Sequence, residues 1–272
     1  MARGPPSVTM AGIEDATRQA IADALHGAER DRRPITPVTE TWPGLDISDA
    51  YAIQRTNVDR RVAAGAVVRG HKVGLTARAM QEMLGVSEPD YGHLLDDMFV
   101  ADGSATTADR YCAPRIEPEV AFVLDAPLPA PGCTVADVLR ATAFVVPALE
   151  IIDSRVADWR ITLADTIADN ASSAGVVVGA RTTPIDGLDL ATLGVVLRRN
   201  GEIVETGAAG AVLGNPVLAV AWLANTLHRL GVRLAAGHVV LPGSCTRALN
   251  VRAGEVVRAD FDVLGGVSVG FS

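Results

Sequence analysis

The sequence predicts an α+β fold with mixed strands, and three observations support this prediction. Apolar residues recur at helical spacing near the start of the chain, over residues 13–64. Beyond Gly65, apolar runs of strand length separated by glycine and proline dominate, and residues 217–230 are apolar on nearly all sides, as in a buried helix. We therefore expect an N-terminal helical segment over residues 1–65, packed on a core domain over residues 66–272.

The first elements follow from apolar spacing and chain breakers. The helical pattern of residues 13–25 is ended by a polar run that closes at Pro34. A second helix is expected to begin after Ser48, which can serve as its N-cap, and to end before Gly65. Residues 67–74 then form a strand-like segment that closes on glycine.

This predicted strand carries Lys72, the single lysine among 24 basic residues, of which the other 23 are arginine. A chain that uses arginine for its surface cations retains lysine where a compact ammonium is needed and a planar guanidinium does not fit. Lys72 is therefore a candidate functional residue.

The segment after this strand is expected to be a short helix followed by a polar loop. Thr76 is a suitable cap for a helix that extends to Leu84, and residues 85–94 are rich in turn formers. Loops of this kind often form the walls of a site, which makes Asp90 a candidate. The alternative is a surface turn in which Asp90 caps Gly92.

Two acids stand at the head of an apolar run over residues 115–124. Because side chains alternate along a strand, Glu117 and Glu119 would project to the same face, about 7 Å apart. Two ionised carboxylates beside apolar surface are costly unless a cation lies between them or one takes a proton. A divalent metal satisfies this requirement, and an edge strand with a solvated acidic face is the alternative.

A third acid, Glu150, lies inside another apolar run, residues 143–153. An unpaired carboxylate there would be costly to bury, and pairing with Arg155 is one solution. Three carboxylates with the same need instead favour a site for a hard divalent cation such as Mg²⁺ or Mn²⁺.

The remaining predicted elements are a short helix opened by Thr134, a helix-to-loop segment over residues 163–173, a strand over 176–179 and a hairpin over 193–206. They are followed by a strand that ends in a small polar loop over residues 239–246 and by two last strands over 254–271. Asn200-Gly201 supplies the positive-φ pair of a type I′ turn in the hairpin. Asn215-Pro216 begins the apolar helix.

Composition and missing motifs exclude several function classes. The net charge of −8, without a basic stripe, argues against nucleic acid or an anionic membrane as partner, and no apolar stretch is long enough to span a membrane. The histidines show no zinc-binding spacing, and dinucleotide, P-loop and hydrolase-elbow motifs are absent from the sequence. An odd set of unpaired cysteines predicts reduced thiols in a cytoplasmic protein: Cys112, Cys133 and Cys245.

Five segments carry a resemblance to a known family: residues 70–76, 89–94, 114–119, 147–155 and 168–172. In this order they resemble the hydratase/decarboxylase branch of the fumarylacetoacetate hydrolase superfamily, across about residues 45–272. Residues 157–166 resemble the 2-hydroxypenta-2,4-dienoate (2-keto-4-pentenoate) hydratases of that branch more than its 4-oxalocrotonate decarboxylases, although Arg160 stands where many hydratases have lysine.

The resemblance implies a curled, mixed β-sheet or β-roll with helices outside, in which residues 66–272 form the catalytic domain. It implies Mg²⁺ or Mn²⁺ held by Glu117, Glu119 and Glu150, and proton transfer by Lys72 and Asp90. The implied reaction is hydration of 2-hydroxypenta-2,4-dienoate, or a longer-tailed homologue, in meta-cleavage catabolism of aromatics or steroids. Candidate donors to the substrate carboxylate are Ser172, Ser173, Ser244 and Thr246.

Two alternatives remain at this point. One is metal-dependent decarboxylation of a 2-oxo-dienedioate, whose second carboxylate needs a further cation that an arginine can supply. The other is a non-catalytic partner that stabilises such an enzyme, which predicts a broken ligand set. We also expect a homo-oligomer, associated with a pathway aldolase or decarboxylase.

Overall fold

A computed structural model of the chain describes residues 13–77, 81–82 and 85–272. The helices bounded within these residues are α1 (Asp15–Asp31), α2 (Val38–Thr41), α3 (Ile47–Ala63), α4 (Val135–Ala141), α5 (Leu163–Ala168) and α6 (Pro216–His228). The strands are β1 (Val68–Gly74), β2 (Asp90–Leu95), β3 (Phe99–Ala101), β4 (Ala105–Thr106), β5 (Arg115–Leu124), β6 (Thr142–Ile152), β7 (Ser173–Val178), β8 (Gly194–Arg199), β9 (Glu202–Ala208), β10 (Val239–Leu241), β11 (Leu249–Asn250), β12 (Val256–Phe261) and β13 (Gly265–Phe271). The helix predicted after Thr76 lies largely outside the described residues.

The N-terminal helices pack through one apolar cluster. Ile21 on α1, Ile53 on α3 and Ile167 on α5 are fully or almost fully buried in it. Gln54 of α3 donates hydrogen bonds to the carbonyls of Tyr91 (3.0 Å) and Ile167 (2.9 Å), which fixes this helix against strand β2. The predicted division of the chain at residue 65 stays a prediction.

The predicted N-cap of α3 is wrong by two residues. Asp46, rather than Ser48, caps this helix, and its carboxylate accepts a hydrogen bond from the backbone N–H of Asp49 at 2.8 Å. The Asp49 carboxylate accepts from the Asp46 backbone in return and also from the N–H of Ile13 at 3.1 Å. The reciprocal bonds of this capping box explain the earlier start.

The larger sheet has the strand order β2-β1-β10-β5-β6-β7-β3, with β11 paired to β5. The pairs β1/β10 and β3/β7 are parallel and the others are antiparallel, so the predicted mixed, curled sheet with helices outside is confirmed. Strand β2 corrects the prediction of a loop over residues 85–94. Tyr91, Leu94 and Leu95 are buried there, because β1 offers an edge with which they pair.

The smaller sheet has the order β4-β13-β12-β8-β9 and shares a core with the larger one. Phe122 and Leu149 from the larger sheet meet Leu197 and Val269 from the smaller sheet in that core. The predicted hairpin is confirmed as β8/β9, with Asn200 and Gly201 at φ of 51° and 87°. Helix α6 is buried on most sides, as predicted, although Leu218 is exposed.

None of the helices within residues 13–77, 81–82 and 85–272 combines the length and hydropathy needed to cross a bilayer.

Candidate metal and catalytic site

The two central strands of the larger sheet bring three carboxylates together. Strands β5 and β6 pair antiparallel with Glu117 opposite Glu150, and Glu119 lies on the same face of β5 as Glu117. One carboxylate oxygen from each residue lies within 4.8 Å of the other two. Glu119 and Glu150 are fully buried, which excludes the solvated acidic face considered above, whereas Glu117 is partly exposed.

In each of the two buried carboxylates, one oxygen accepts a hydrogen bond and the other oxygen does not. The backbone N–H of Gly243 donates to Glu119 Oε2 at 2.6 Å, and Ser173 Oγ donates to Glu150 Oε1 at 2.8 Å. Glu119 Oε1 and Glu150 Oε2 are buried acceptors without a hydrogen-bond donor in the described part of the chain. Carboxylate oxygens that lack a hydrogen-bond donor fit a hard divalent cation, and the hydrogen bonds to the other oxygens would orient them for it.

The carboxylates strongly affect one another's ionisation. The pKa of Glu117 is raised from 4.5 to about 7, mainly by burial, with Lys72 opposing the shift and the charges of Glu150 and Asp90 adding to it. Burial likewise raises the pKa of Glu119 well above its usual range, with Glu150 and Glu117 acting in the same direction. Without a cation, therefore, this cluster retains protons near neutral pH.

Lys72 supplies a buried positive charge beside this cluster. Its side chain is almost fully buried, and its Nζ lies 3.4 Å from Glu150 Oε2. Burial alone would lower the pKa of this ammonium, but Glu150, Asp90 and the other two glutamates outweigh burial and raise it. Lys72 therefore stays charged, and pairing of Glu150 with Arg155 does not occur, because Arg155 pairs with Asp169 at 2.5 Å.

A strained turn positions the second partner of Lys72. Asn170, Ala171 and Ser172 all have positive φ, between 50° and 57°, and the Ala171 carbonyl accepts a hydrogen bond from Lys72 Nζ at 3.0 Å. The Asn170 side chain holds the turn against β2, since its Oδ1 accepts from the His93 N–H at 2.8 Å and its Nδ2 donates to the His93 carbonyl at 3.0 Å. Backbone strain of this kind persists only where neighbouring contacts enforce it.

Asp90 lies at the start of β2, opposite Gly74 of β1. Its carboxyl group is buried and Oδ1 has no hydrogen-bond donor among the described residues, so the surface-turn alternative is wrong. Burial raises the pKa of Asp90, Lys72 opposes the shift, and Glu150 adds to it. A buried acid with a raised pKa beside an ammonium is suited to proton transfer.

Two glycines at this site were missed as functional residues. A Cβ on Gly74 would lie 2.2 Å from Asp90 Oδ1 and 3.3 Å from Lys72 Nζ, so only glycine leaves room for both groups. Gly243 has φ of 128°, and a Cβ there would lie 2.0 Å from Thr76 Oγ1. Two sequence features could have indicated them: Gly74 closes the first predicted strand, and Gly243 follows a proline.

The four hydroxyl candidates all have partners within the protein. Ser173 donates to Glu150, as described, and Ser172 Oγ shares a hydrogen bond of 3.1 Å with Thr166 Oγ1. Ser244 Oγ donates to the Thr246 carbonyl at 2.9 Å, and Thr246 Oγ1 donates to the Arg247 carbonyl at 3.0 Å. Their part in binding substrate stays a prediction.

The chain is similar to known proteins in both sequence and structure. The fumarylacetoacetate (FAA) hydrolase C-terminal family matches residues 62–270. The chain is 46% identical to a 2-oxo-hept-4-ene-1,7-dioate hydratase of Escherichia coli, over 94% of this chain and 98% of the relative. It is 43% identical to a 2-keto-4-pentenoate hydratase of Paraburkholderia xenovorans, over 93% and 94%. The solved 4-oxalocrotonate decarboxylase from Pseudomonas putida G7, complexed with magnesium and adipate, superposes with a TM-score of 0.92 at 38% identity, over 96% and 99% of the two chains.

Proposed function

This chain belongs to the fumarylacetoacetate hydrolase C-terminal family, and we propose that it is a divalent-metal-dependent hydro-lyase that adds water to a 2-hydroxy-2,4-dienoate. The observation that carries the proposal is the convergence of three glutamate oxygens within 4.8 Å, with buried Lys72 and Asp90 beside them. Two relatives are hydratases of unsaturated 2-oxo acids, which supports the same reaction class.

We assign Glu117, Glu119 and Glu150 as the residues that hold the cation, which is Mg²⁺ or Mn²⁺. The solved relative is complexed with magnesium, and all three ligands are hard oxygens. Bound there, the ion supplies Lewis acidity that stabilises negative charge on the oxygen at C2 of a 2-oxo acid. The Ser173 and Gly243 hydrogen bonds orient two of the carboxylates before substrate arrives.

In the first half of the proposed reaction, the C2 hydroxyl of the dienol loses its proton and the terminal carbon of the diene, C5 of the five-carbon substrate, gains one. This gives the α,β-unsaturated 2-oxo acid. Lys72 holds its ammonium beside the developing enolate charge, and its hydrogen bond to Ala171 fixes the position of that charge. Asp90, whose pKa is raised by burial, carries the proton between oxygen and carbon.

In the second half, water adds at C4 and a proton is delivered to C3, which yields a 4-hydroxy-2-oxoalkanoate. Asp90 removes a proton from the attacking water, and the acid so formed returns it to carbon. The strained turn of residues 170–172 and the glycine at position 74 keep Lys72 and Asp90 in place through both halves.

Decarboxylation of a 2-oxo-dienedioate is the second candidate, since the solved relative with a TM-score of 0.92 is a decarboxylase. The two reactions share the enolate and differ in the bond that is made or broken. A non-catalytic role does not suit a chain in which all three glutamates, Lys72 and Asp90 are in place.

The test is to incubate the purified chain with Mg²⁺ and 2-hydroxypenta-2,4-dienoate, or its seven-carbon dioate homologue, and follow ultraviolet absorbance together with product mass. Hydration adds the mass of one water to a substrate. Release of CO₂ from a 2-oxo-dienedioate in place of water addition would establish decarboxylation instead. Consumption of none of these compounds would overturn the proposal.

We further propose that the enzyme is cytoplasmic and acts in meta-cleavage catabolism of aromatic compounds or steroids. A homo-oligomer, associated with a pathway aldolase or decarboxylase, belongs to the same proposal. Sedimentation of the purified chain, alone and with the aldolase, tests the assembly: a lone monomer in both experiments would contradict it.

A further inference from the structure

A cleft lies on the face of β1 and β2 that is turned away from the carboxylate cluster. Side chains alternate along a strand, so on β1 Lys72 projects to one face and His71 to the other. On β2, Asp90 and Tyr91 are divided in the same way. Helix α3 and the chain after α6 complete the walls of the cleft, whose volume of about 600 Å³ is in the range of small-molecule sites.

The walls of this cleft are mostly apolar. Tyr51 of α3 stacks on Tyr91 of β2, with ring centroids 4.5 Å apart and an angle of 13° between the ring planes. Aliphatic side chains from three segments complete the walls: Val58, Val62, Val68, Leu230 and Val232. Val62 and Leu230 are exposed and lie at the mouth, so the cleft opens to solvent there.

Three imidazoles form the polar part of the cleft. The ring centroid of His71 lies 4.7 Å from that of His93 and 6.1 Å from that of His238. His238 Nδ1 accepts a hydrogen bond from the backbone N–H of Ala235 at 3.3 Å. His71 is almost fully buried, and neither of its ring nitrogens has a hydrogen-bond partner among the residues that the structure describes, nor has His93 Nδ1. Buried polar atoms left unpaired are costly, so a molecule that pairs with them gains affinity.

The protonation of these histidines limits which chemical group can bind them. Burial lowers the pKa of His71 well below 6.5 and that of His93 to about 4, so both rings are neutral near pH 7. A neutral imidazole has one N–H donor and one acceptor nitrogen. A carboxylate can only accept and would be buried here without a cation, and an ammonium can only donate. A hydroxyl group can donate to one imidazole and accept from its neighbour.

We propose that this cleft is a second small-molecule site and that it binds a single-ring phenol. The hydroxyl exchanges hydrogen bonds with His71 and His93, and the ring packs beside the stacked pair of Tyr51 and Tyr91. Contact with aromatic rings favours an aromatic body over an aliphatic one. The site goes beyond the proposed hydration and does not depend on it, because the three glutamates lie outside the cleft.

The test compares the binding of three compounds of similar size to the full chain by calorimetry. They are 4-methylphenol, 1,4-dimethylbenzene, in which a methyl group replaces the hydroxyl, and 4-methylcyclohexanol, which keeps the hydroxyl on an aliphatic ring. Wild type is expected to bind 4-methylphenol at least about tenfold more tightly than either of the others, which is the scale of one or two hydrogen bonds. Its affinity should be the same in EDTA and in Mg²⁺.

Two variants locate the binding site. His71→Phe removes both ring nitrogens and should weaken 4-methylphenol binding by about tenfold, while 1,4-dimethylbenzene changes by less than about threefold. Val62→Trp adds a large ring at the exposed mouth and should weaken both compounds. Because Val62 is exposed, this variant decides the test if the buried substitution prevents folding. His228→Phe, in the last turn of α6 and outside the cleft, is the matched control and leaves all affinities unchanged.

Several results would overturn the proposal. Affinity for 1,4-dimethylbenzene or 4-methylcyclohexanol equal to that for 4-methylphenol would remove the phenol assignment. Unchanged 4-methylphenol affinity in Val62→Trp would place the ligand elsewhere, and binding that requires Mg²⁺ would place it at the glutamates. Absence of 4-methylphenol binding at millimolar concentration would show that the cleft holds only water.

Discussion

Replacing Glu117 by glutamine is expected to change the stability of the protein in opposite directions with and without metal. In EDTA, the wild-type carboxyl has a folded-state pKa of about 7 against 4.5 for the free side chain, mainly because it is buried. The folded state therefore binds the proton more tightly than the unfolded state, and stability from this group is lost as pH rises from about 4.5 to about 7. The glutamine side chain does not titrate, so the variant loses no stability at this position as pH rises.

The shift from 4.5 to about 7 corresponds to about 3 kcal/mol, which we discount to about 2 kcal/mol because Glu117 is partly exposed. For a chain of this size, about 2 kcal/mol corresponds to about 4–8 °C in Tm. In EDTA the variant and wild type should thus unfold at similar temperatures at pH 4.5, and the variant should be more stable by about 4–8 °C at pH 8. Saturating Mg²⁺ should reverse the order at pH 8, because only wild type retains all three ligands.

The assay is thermal unfolding by calorimetry between pH 4.5 and 8, in EDTA and in Mg²⁺. The difference between the two proteins cancels the opposite contribution of His71 and His93, whose pKa values burial lowers and whose neutral forms favour folding at higher pH. Glu40→Gln, which alters an exposed glutamate paired with Arg160, should follow wild type throughout. A constant difference in EDTA across this pH range, or no reversal in Mg²⁺, would refute the assignment of Glu117 as a metal ligand with a raised pKa.

Three further outcomes are expected. Exhaustive chelation should abolish turnover, and Mg²⁺ or Mn²⁺ should restore it far better than Zn²⁺, because the ligands are hard oxygens; full activity after chelation would contradict the metal site. Lys72→Ala should lower kcat by about 10²-fold, with little rescue by Lys72→Arg, and near-normal kinetics of the arginine variant would rule out the catalytic role. Gly74→Ala should lower kcat because the new Cβ would lie 2.2 Å from Asp90 Oδ1. The control is Gly27→Ala, whose Cβ meets nothing within 4 Å and which should leave kcat unchanged. Equal kcat in the two variants would show that Gly74 is not needed at the site.

Local patterns were enough to predict the parts of the site that depend on neighbours in sequence. The i, i+2 spacing placed Glu117 and Glu119 on one strand face, and the apolar setting of Glu150 predicted that its carboxylate has a positively charged partner. The direct pairing of Glu117 with Glu150 depends on strand register, which a single sequence does not specify. The Gly243 bond to Glu119 joins residues 124 positions apart, so no local pattern could indicate it.

The errors arose where tertiary contacts overrode local signals. Pro89 and Gly92 suggested a loop, but residues 90–95 form a strand because they pair with the edge of β1. Ser48 is a good capping residue, yet Asp46 has a carboxylate partner at Asp49 and caps the helix instead.

Strand β10 lies between β1 and β5, so Lys72 and Glu117 belong to strands that do not pair with each other. During synthesis both of these strands leave the ribosome more than a hundred residues before residues 239–241 arrive to join them. Until then each presents an unpaired edge, which is the form in which strands aggregate. The growing chain therefore depends on its last quarter to complete the sheet between Lys72 and the three glutamates.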